Sequence, residues 1–126
     1  MTIEALKYID DTLNNAGINY EFGMWTSDVI YPYFVGEYTD TTTVNEDGMK
    51  ETTFLLSGTS RNSMLELEEA KEKIEDLFPS VGGRIAKLDN GSRIVIFFNS
   101  AMYVPTDTAD IKRLQINLTI KEWKVK

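Results

Sequence analysis

The chain has no histidine and no cysteine among its 126 residues, and only three prolines. The missing histidine removes the commonest general acid–base and the usual partner of a serine or cysteine nucleophile. The missing cysteine rules out disulfides and, with histidine also absent, nearly every zinc site. It suits a reducing compartment. Long apolar runs are lacking too: the longest span a few residues, too short to cross a bilayer. Met1-Thr-Ile-Glu-Ala has neither a basic region nor an apolar core, so no secretory signal is expected. The expected location is the cytoplasm, with no membrane partner.

What is present describes one ordinary globular domain, residues 1–126. Hydrophobic residues make up 42% and charged residues 26%, and this length buries enough surface to fold without a staple. The net charge of −7 is unevenly placed. Residues 1–25 sum to −3, 26–50 to −4, 51–79 to −4, and 80–126 to +4. Sequence-specific or general nucleic-acid binding is not expected, because phosphate contacts need a dominant basic surface. The asymmetry either keeps the protein soluble or brings acidic and basic faces together in head-to-tail self-association.

Ile3, Leu6, Ile9, Leu13 and Ala16 recur at helical spacing, with Thr2 as cap and Gly17 as left-handed stop. Tyr20, Phe22 and Met24 alternate as in a half-buried strand, and Pro32 fits an edge or a strand start. Residues 33–60 read as a long hairpin turning at Asn45-Glu-Asp-Gly48. Its outer half, residues 39–53, is almost wholly polar, so it either projects as an arm or pairs with something. Ser63-Met-Leu-Glu66 has capping-box spacing and opens a second helix with the stripe Leu67, Ala70, Ile74, Leu77 and Phe78, stopped by Pro79. Asn90-Gly91 marks a hairpin between residues 84–88 and 93–98. The closing strand from Lys112 alternates strictly, with Leu114, Ile116, Leu118 and Ile120 on one face. Trp123 and Val125 break that phase, which predicts a bulge or sheet exit near Lys121-Glu122. The order α-β-β-β-α-β-β-β, with hairpins between successive strands, predicts an α+β domain. Its sheet is mainly antiparallel, two amphipathic helices pack on one face, and a long β-hairpin protrudes.

No chemical motif stands out. Gly82-Gly83 lacks the rest of a phosphate loop. Seven acids between Glu51 and Asp76 do not match a calcium loop and read as a solvated helix face. Asp28 and Asp47 could act as paired carboxylates only if the fold brought each beside another acid. Tyr20, Phe22, Trp25, Tyr31, Tyr33, Phe34 and Tyr38 are interleaved with Glu21, Asp28 and Glu37, so a nucleic-acid stacking platform is a poor fit. Core filling and a protein interface fit better. No catalytic residue, metal site or cofactor is expected.

Three segments carry a resemblance. Tyr31-Pro-Tyr-Phe-Val-Gly-Glu37 leads into the long hairpin. Gly58-Thr-Ser-Arg61 joins it to an amphipathic helix, and Arg113-Leu-Gln-Ile-Asn-Leu-Thr-Ile-Lys-Glu-Trp123 closes the chain. In this arrangement the chain resembles the small tail-completion proteins of tailed bacteriophages and prophages, the tail terminators and head–tail joining proteins. The resemblance covers most of the chain as an order of elements. It implies a non-enzymatic protein whose copies form a ring, often hexameric, that ends the tail tube and joins it to the head. Implied partners are further copies of the chain, the tail tube protein and a head-completion or connector protein. The implied setting is the bacterial cytoplasm during assembly, then the virion tail. On this reading Tyr31, Tyr33, Glu37, Lys112, Arg113 and Lys121 belong to the subunit or partner interface. Asp40, Glu46 and Asp47 would line an acidic hairpin or lumen surface past which DNA slides. Two other classes stay open: a small soluble binding or regulatory domain unrelated to phage, and an enzyme working with carboxylates alone.

Overall fold

The computed structural model describes residues 1–44 and 48–124, with backbone only for 41–44. Glu46 and Asp47 lie outside the described residues. The chain runs α1 (Ile3–Asn15), β1 (Tyr20–Phe22), β2 (Tyr33–Val44), β3 (Met49–Arg61), α2 (Met64–Leu77), β4 (Arg84–Lys87), β5 (Arg93–Val104) and β6 (Ile111–Trp123). This is an α+β fold: one curled six-stranded sheet in the order β1-β2-β3-β6-β5-β4, with both helices on one side.

The period-2 pattern builds the core. Phe54 and Leu56 on β3, Ile94 and Ile96 on β5, and Leu114, Ile116, Leu118 and Ile120 on β6 all point to the helix side and are buried. Against them lie Ala5, Ile9 and Leu13 of α1 and Leu67, Ala70 and Ile74 of α2. The Thr2 hydroxyl caps α1, accepting from Ala5 N–H at 3.2 Å. Gly17 ends it with φ +82°. The buried line of α1 is rotated from the expected stripe. Ala5, Ile9 and Leu13 meet the sheet, while Ile3 is 68% exposed on the flank toward β1. The α2 cap forms as expected, with Ser63 Oγ accepting from Glu66 N–H. The return arm of a capping box does not, because Glu66 takes the Ser60 hydroxyl instead, at 2.8 Å.

Four features depart from the sequence reading or refine it. First, β1 and β2 do not form a hairpin: they run parallel, Tyr20 beside Phe34 and Phe22 beside Gly36. The chain between them returns through residues 23–32, where the Tyr31–Pro32 peptide is cis. Second, the β2–β3 hairpin is long but does not stand free over its described length. β6 flanks β3 from Met49 to Arg61, so the polar strand is paired on both sides. Third, β5 runs on to Val104 through a register shift between Phe98 and Ser100. Fourth, β6 has no bulge near Lys121. Its register holds through Trp123, and Glu122 takes an inward position at 3% exposure. There it accepts the Thr2 hydroxyl at 2.6 Å, so the break in the apolar pattern is a buried carboxylate with a partner.

Candidate interaction surface

The helices leave the other side of the sheet uncovered. That face carries Glu21 on β1, Tyr33, Val35 and Glu37 on β2, and Leu55, Ser57 and Thr59 on β3. It continues with Arg113, Gln115, Asn117, Thr119 and Lys121 on β6, then Arg93, Val95 and Phe97 on β5, and Ile85 and Lys87 on β4. Charge separates along it. Acids Glu21 and Glu37 sit at the β1–β2 end, and bases Arg113, Lys121, Arg93 and Lys87 at the β6–β5–β4 end, while central β3 carries one charge of each sign on this face, Glu51 beside Lys121 and Arg61. The acidic start and basic finish of the sequence thus become the two ends of one sheet, because β1 and β2 lie at one edge and the last three strands at the other.

The structure brings some of the expected interface residues together. Tyr33, Thr59, Arg113 and Val104 form one row across β2, β3, β6 and β5. Tyr33 packs at a tilt against Trp25 (centroids 5.0 Å apart) and Tyr31 (5.8 Å), so these aromatics close the acidic end of that row. Glu37 is exposed on the same face, four residues along β2. Lys121 shares the face, about 26 Å from Arg113 along β6 at the usual strand rise, with its ammonium 5.8 Å from the Phe97 ring. Lys112 faces the other way, paired beside Ser60, and donates to the Ala109 carbonyl at 2.8 Å.

Asp40 also lies on the helix side, at the far end of β2. Its carboxylate accepts from the Met1 ammonium at 2.7 and 2.9 Å, Lys50 Nζ at 3.1 Å and the Thr52 hydroxyl at 2.8 Å. Burial alone would raise its carboxyl. These three donors outweigh that and hold it at about 2. Its charge is therefore largely matched within the fold. Elsewhere Tyr103 donates to Glu68 at 2.5 Å, and burial together with that carboxylate pushes the phenol up to about 12. Glu21 is held low by the Thr26 hydroxyl and the Thr26 and Ser27 backbone N–H groups.

A cleft of about 200 Å³ lies between the end of α1 and α2, lined by Ile18, Pro32, Ala70 and Lys73. A wider groove of about 410 Å³ runs between α1 and β1, with Ile3, Leu6, Phe22 and Met24 along it and Lys7, Asp10 and Glu21 at its rim. Among the described residues no three acids gather as a metal site, and no helix is long and apolar enough to cross a membrane. Asp28 lines neither cleft; the acids that do are Glu66 and Glu69 in the first and Asp10 and Glu21 in the second. The sequence did not reveal this groove, because Ile3 and Leu6 fit a core stripe as well as a flank.

No protein-family model matches the chain, and no curated protein matches it significantly.

Proposed function

We propose that this chain is a non-enzymatic structural protein of a phage or prophage tail, forming a ring that ends the tail tube and joins it to the head. The observation that carries the reading is the uncovered sheet face with opposite charge at its two ends. A closed ring of identical copies needs two unlike, complementary surfaces on each copy. Here Glu21 and Glu37 supply one end, and Arg113, Arg93 and Lys87 the other. The order of elements resembling tail-completion proteins supports the same reading. On this proposal the chain works in the bacterial cytoplasm during assembly and then within the tail. Its partners are further copies, the tube protein and a head-completion protein.

The test is mass photometry with negative-stain imaging over a concentration series, repeated with purified tail tubes. Closed rings, free or on tube ends, are expected. Glu37→Lys and Arg113→Glu should each weaken assembly, and their combination should restore part of it. A chain that stays monomeric and leaves tubes uncapped would overturn the reading and favour a small binding domain.

A further inference from the structure

We infer that copies of this chain join edge to edge, the outer edge of β2 in one copy pairing antiparallel with the outer edge of β5 in the next. The proposal rests on the ring reading above and gives that ring its interface.

Both edges are open among the described residues. β1 covers β2 only over residues 34–36. There the helix-side positions, Phe34 and Gly36, turn their backbone groups outward: Phe34 N–H donates to the Asn19 carbonyl, and the Gly36 carbonyl accepts from Gly23, both at 2.8 Å. Alternation gives Tyr38 and Asp40 the same outward-facing backbone, and no strand meets them. At the other edge β4 covers β5 only over residues 93–96. Phe98 faces the helices and sends its N–H outward to the Phe78 carbonyl at 2.9 Å. Past the bulge Ala101 and Tyr103 face the helices in turn, so their backbone groups are offered to the open edge. Residues 100–104 of that edge carry no charge and no proline, the devices that normally discourage edge pairing.

Polarity, face and charge select the partner. β2, β3, β6 and β5 alternate in direction. A head-to-tail repeat therefore sets β2 antiparallel to the next copy's β5. Placing Glu37 opposite Val104, and so Thr39 opposite Met102, keeps both helix-side faces together and matches outward backbone with outward backbone. It also brings Arg113, the β6 neighbour of Val104, two strand spacings (about 10 Å) from the Glu37 backbone, within reach of two long side chains. A two-fold β2–β2 pairing would instead gather two copies of Glu37 and Asp40 in one short ladder, with like charges close. Exposed apolar side chains flank both edges on the helix side. Phe22 (47% exposed) lies against Tyr38 of β2 with Ile3 along the same groove, and Met64 (45%) at the start of α2 shares a hollow with Tyr103 and Val104 of β5. The two open stretches lie at opposite ends of the sheet. Joining them staggers successive copies along the strands, the shear that closure of tilted strands requires.

The absence of cysteine makes cross-linking clean. Thr39→Cys is combined in turn with Ser100→Cys, Met102→Cys and Val104→Cys, all at exposed or half-buried sites, and oxidised where the wild-type chain assembles. Thr39 and Met102 would form a non-hydrogen-bonded pair about 4.5 Å apart, which suits a disulfide. A covalent ladder up to the ring number is expected, strongest with Met102→Cys. Rings of wild-type chain without cross-links in any pair would overturn the edge assignment and leave the ring reading standing. Dimers from Thr39→Cys alone would replace it with two-fold β2 pairing. A monomeric wild type with no cross-links would overturn both.

Discussion

Gly58→Ala tests whether the sheet is packed as described at its β2–β3 seam. Gly58 is the register partner of Phe34, which is 1% exposed. A Cβ on Gly58 would stand 2.8 Å from Phe34 Cζ and 2.9 Å from Cδ2, and closer still to Cε2. Ordinary carbon contacts lie near 3.5–4.0 Å, so the ring must retreat by about 1 Å. The cleft beside Ile18 and Pro32, which Phe34 also lines, gives it somewhere to go. Overpacking of this kind costs about 1–3 kcal/mol. Reduced freedom of the unfolded chain returns about 0.5–1 kcal/mol. The expected net loss is about 1–2 kcal/mol, a fall in Tm of about 3–8 °C at this chain length. Urea unfolding should show a lower midpoint with an unchanged slope. Phe34→Leu alone should also destabilise by about 1–2 kcal/mol through the cavity it leaves. The double variant should lose less than the sum, by about 1 kcal/mol, because the new methyl fills space the ring vacates. A Gly58→Ala protein as stable as wild type, or strictly additive costs, would refute the packing argument.

Three further outcomes follow from the polar contacts. Asp40, held at about 2 against an ordinary 3.8, contributes stability that is complete above about pH 4 and is lost as pH falls toward 2. Its side chain is 31% exposed, so about 1 kcal/mol is expected after screening; Asp40→Asn should flatten that limb of stability against pH, and parallel curves would count against it. Thr2→Ala removes both the α1 cap and the donor to buried Glu122, an expected loss of about 2–3 kcal/mol by chemical denaturation, whereas Thr2→Ser should stay within about 0.5 kcal/mol of wild type. Tyr103→Phe should let the Glu68 carboxyl, now held low first by Tyr103 and then by Lys71, titrate at higher pH; carboxyl-carbon NMR reads this, and an unmoved Glu68 would show that the hydrogen bond does not form in solution.

How much could be read beforehand depended on whether the signal was local. The α2 stripe, the Asn90-Gly91 turn and the alternation of β6 are written in neighbouring residues, and each appears where its period places it. Helix α1 was legible as an element but not in rotation, because Ile3 and Ala5 compete for the inward side and only the position of the sheet decides. The parallel β1–β2 pair was invisible, since a short strand carries no mark of its partner's direction. Glu122 looked like a fault in the pattern because its partner, Thr2, lies 120 residues away. The candidate surface was legible as charge totals and as an aromatic cluster. Which residues share a face was not, and Lys112 and Asp40 turn out to lie on the helix side.

The sequence by itself determined the class of fold, the order of its elements and the segregation of acid from base along the chain, since periodicity, turn residues and charge counts are properties of neighbours. Only the tertiary structure decided which strands are neighbours, which face stays uncovered and where the backbone edges remain open. Those outcomes depend on pairing between distant segments. The hydrophobic pattern sets which side of each strand is buried but does not name the strand that lies beside it.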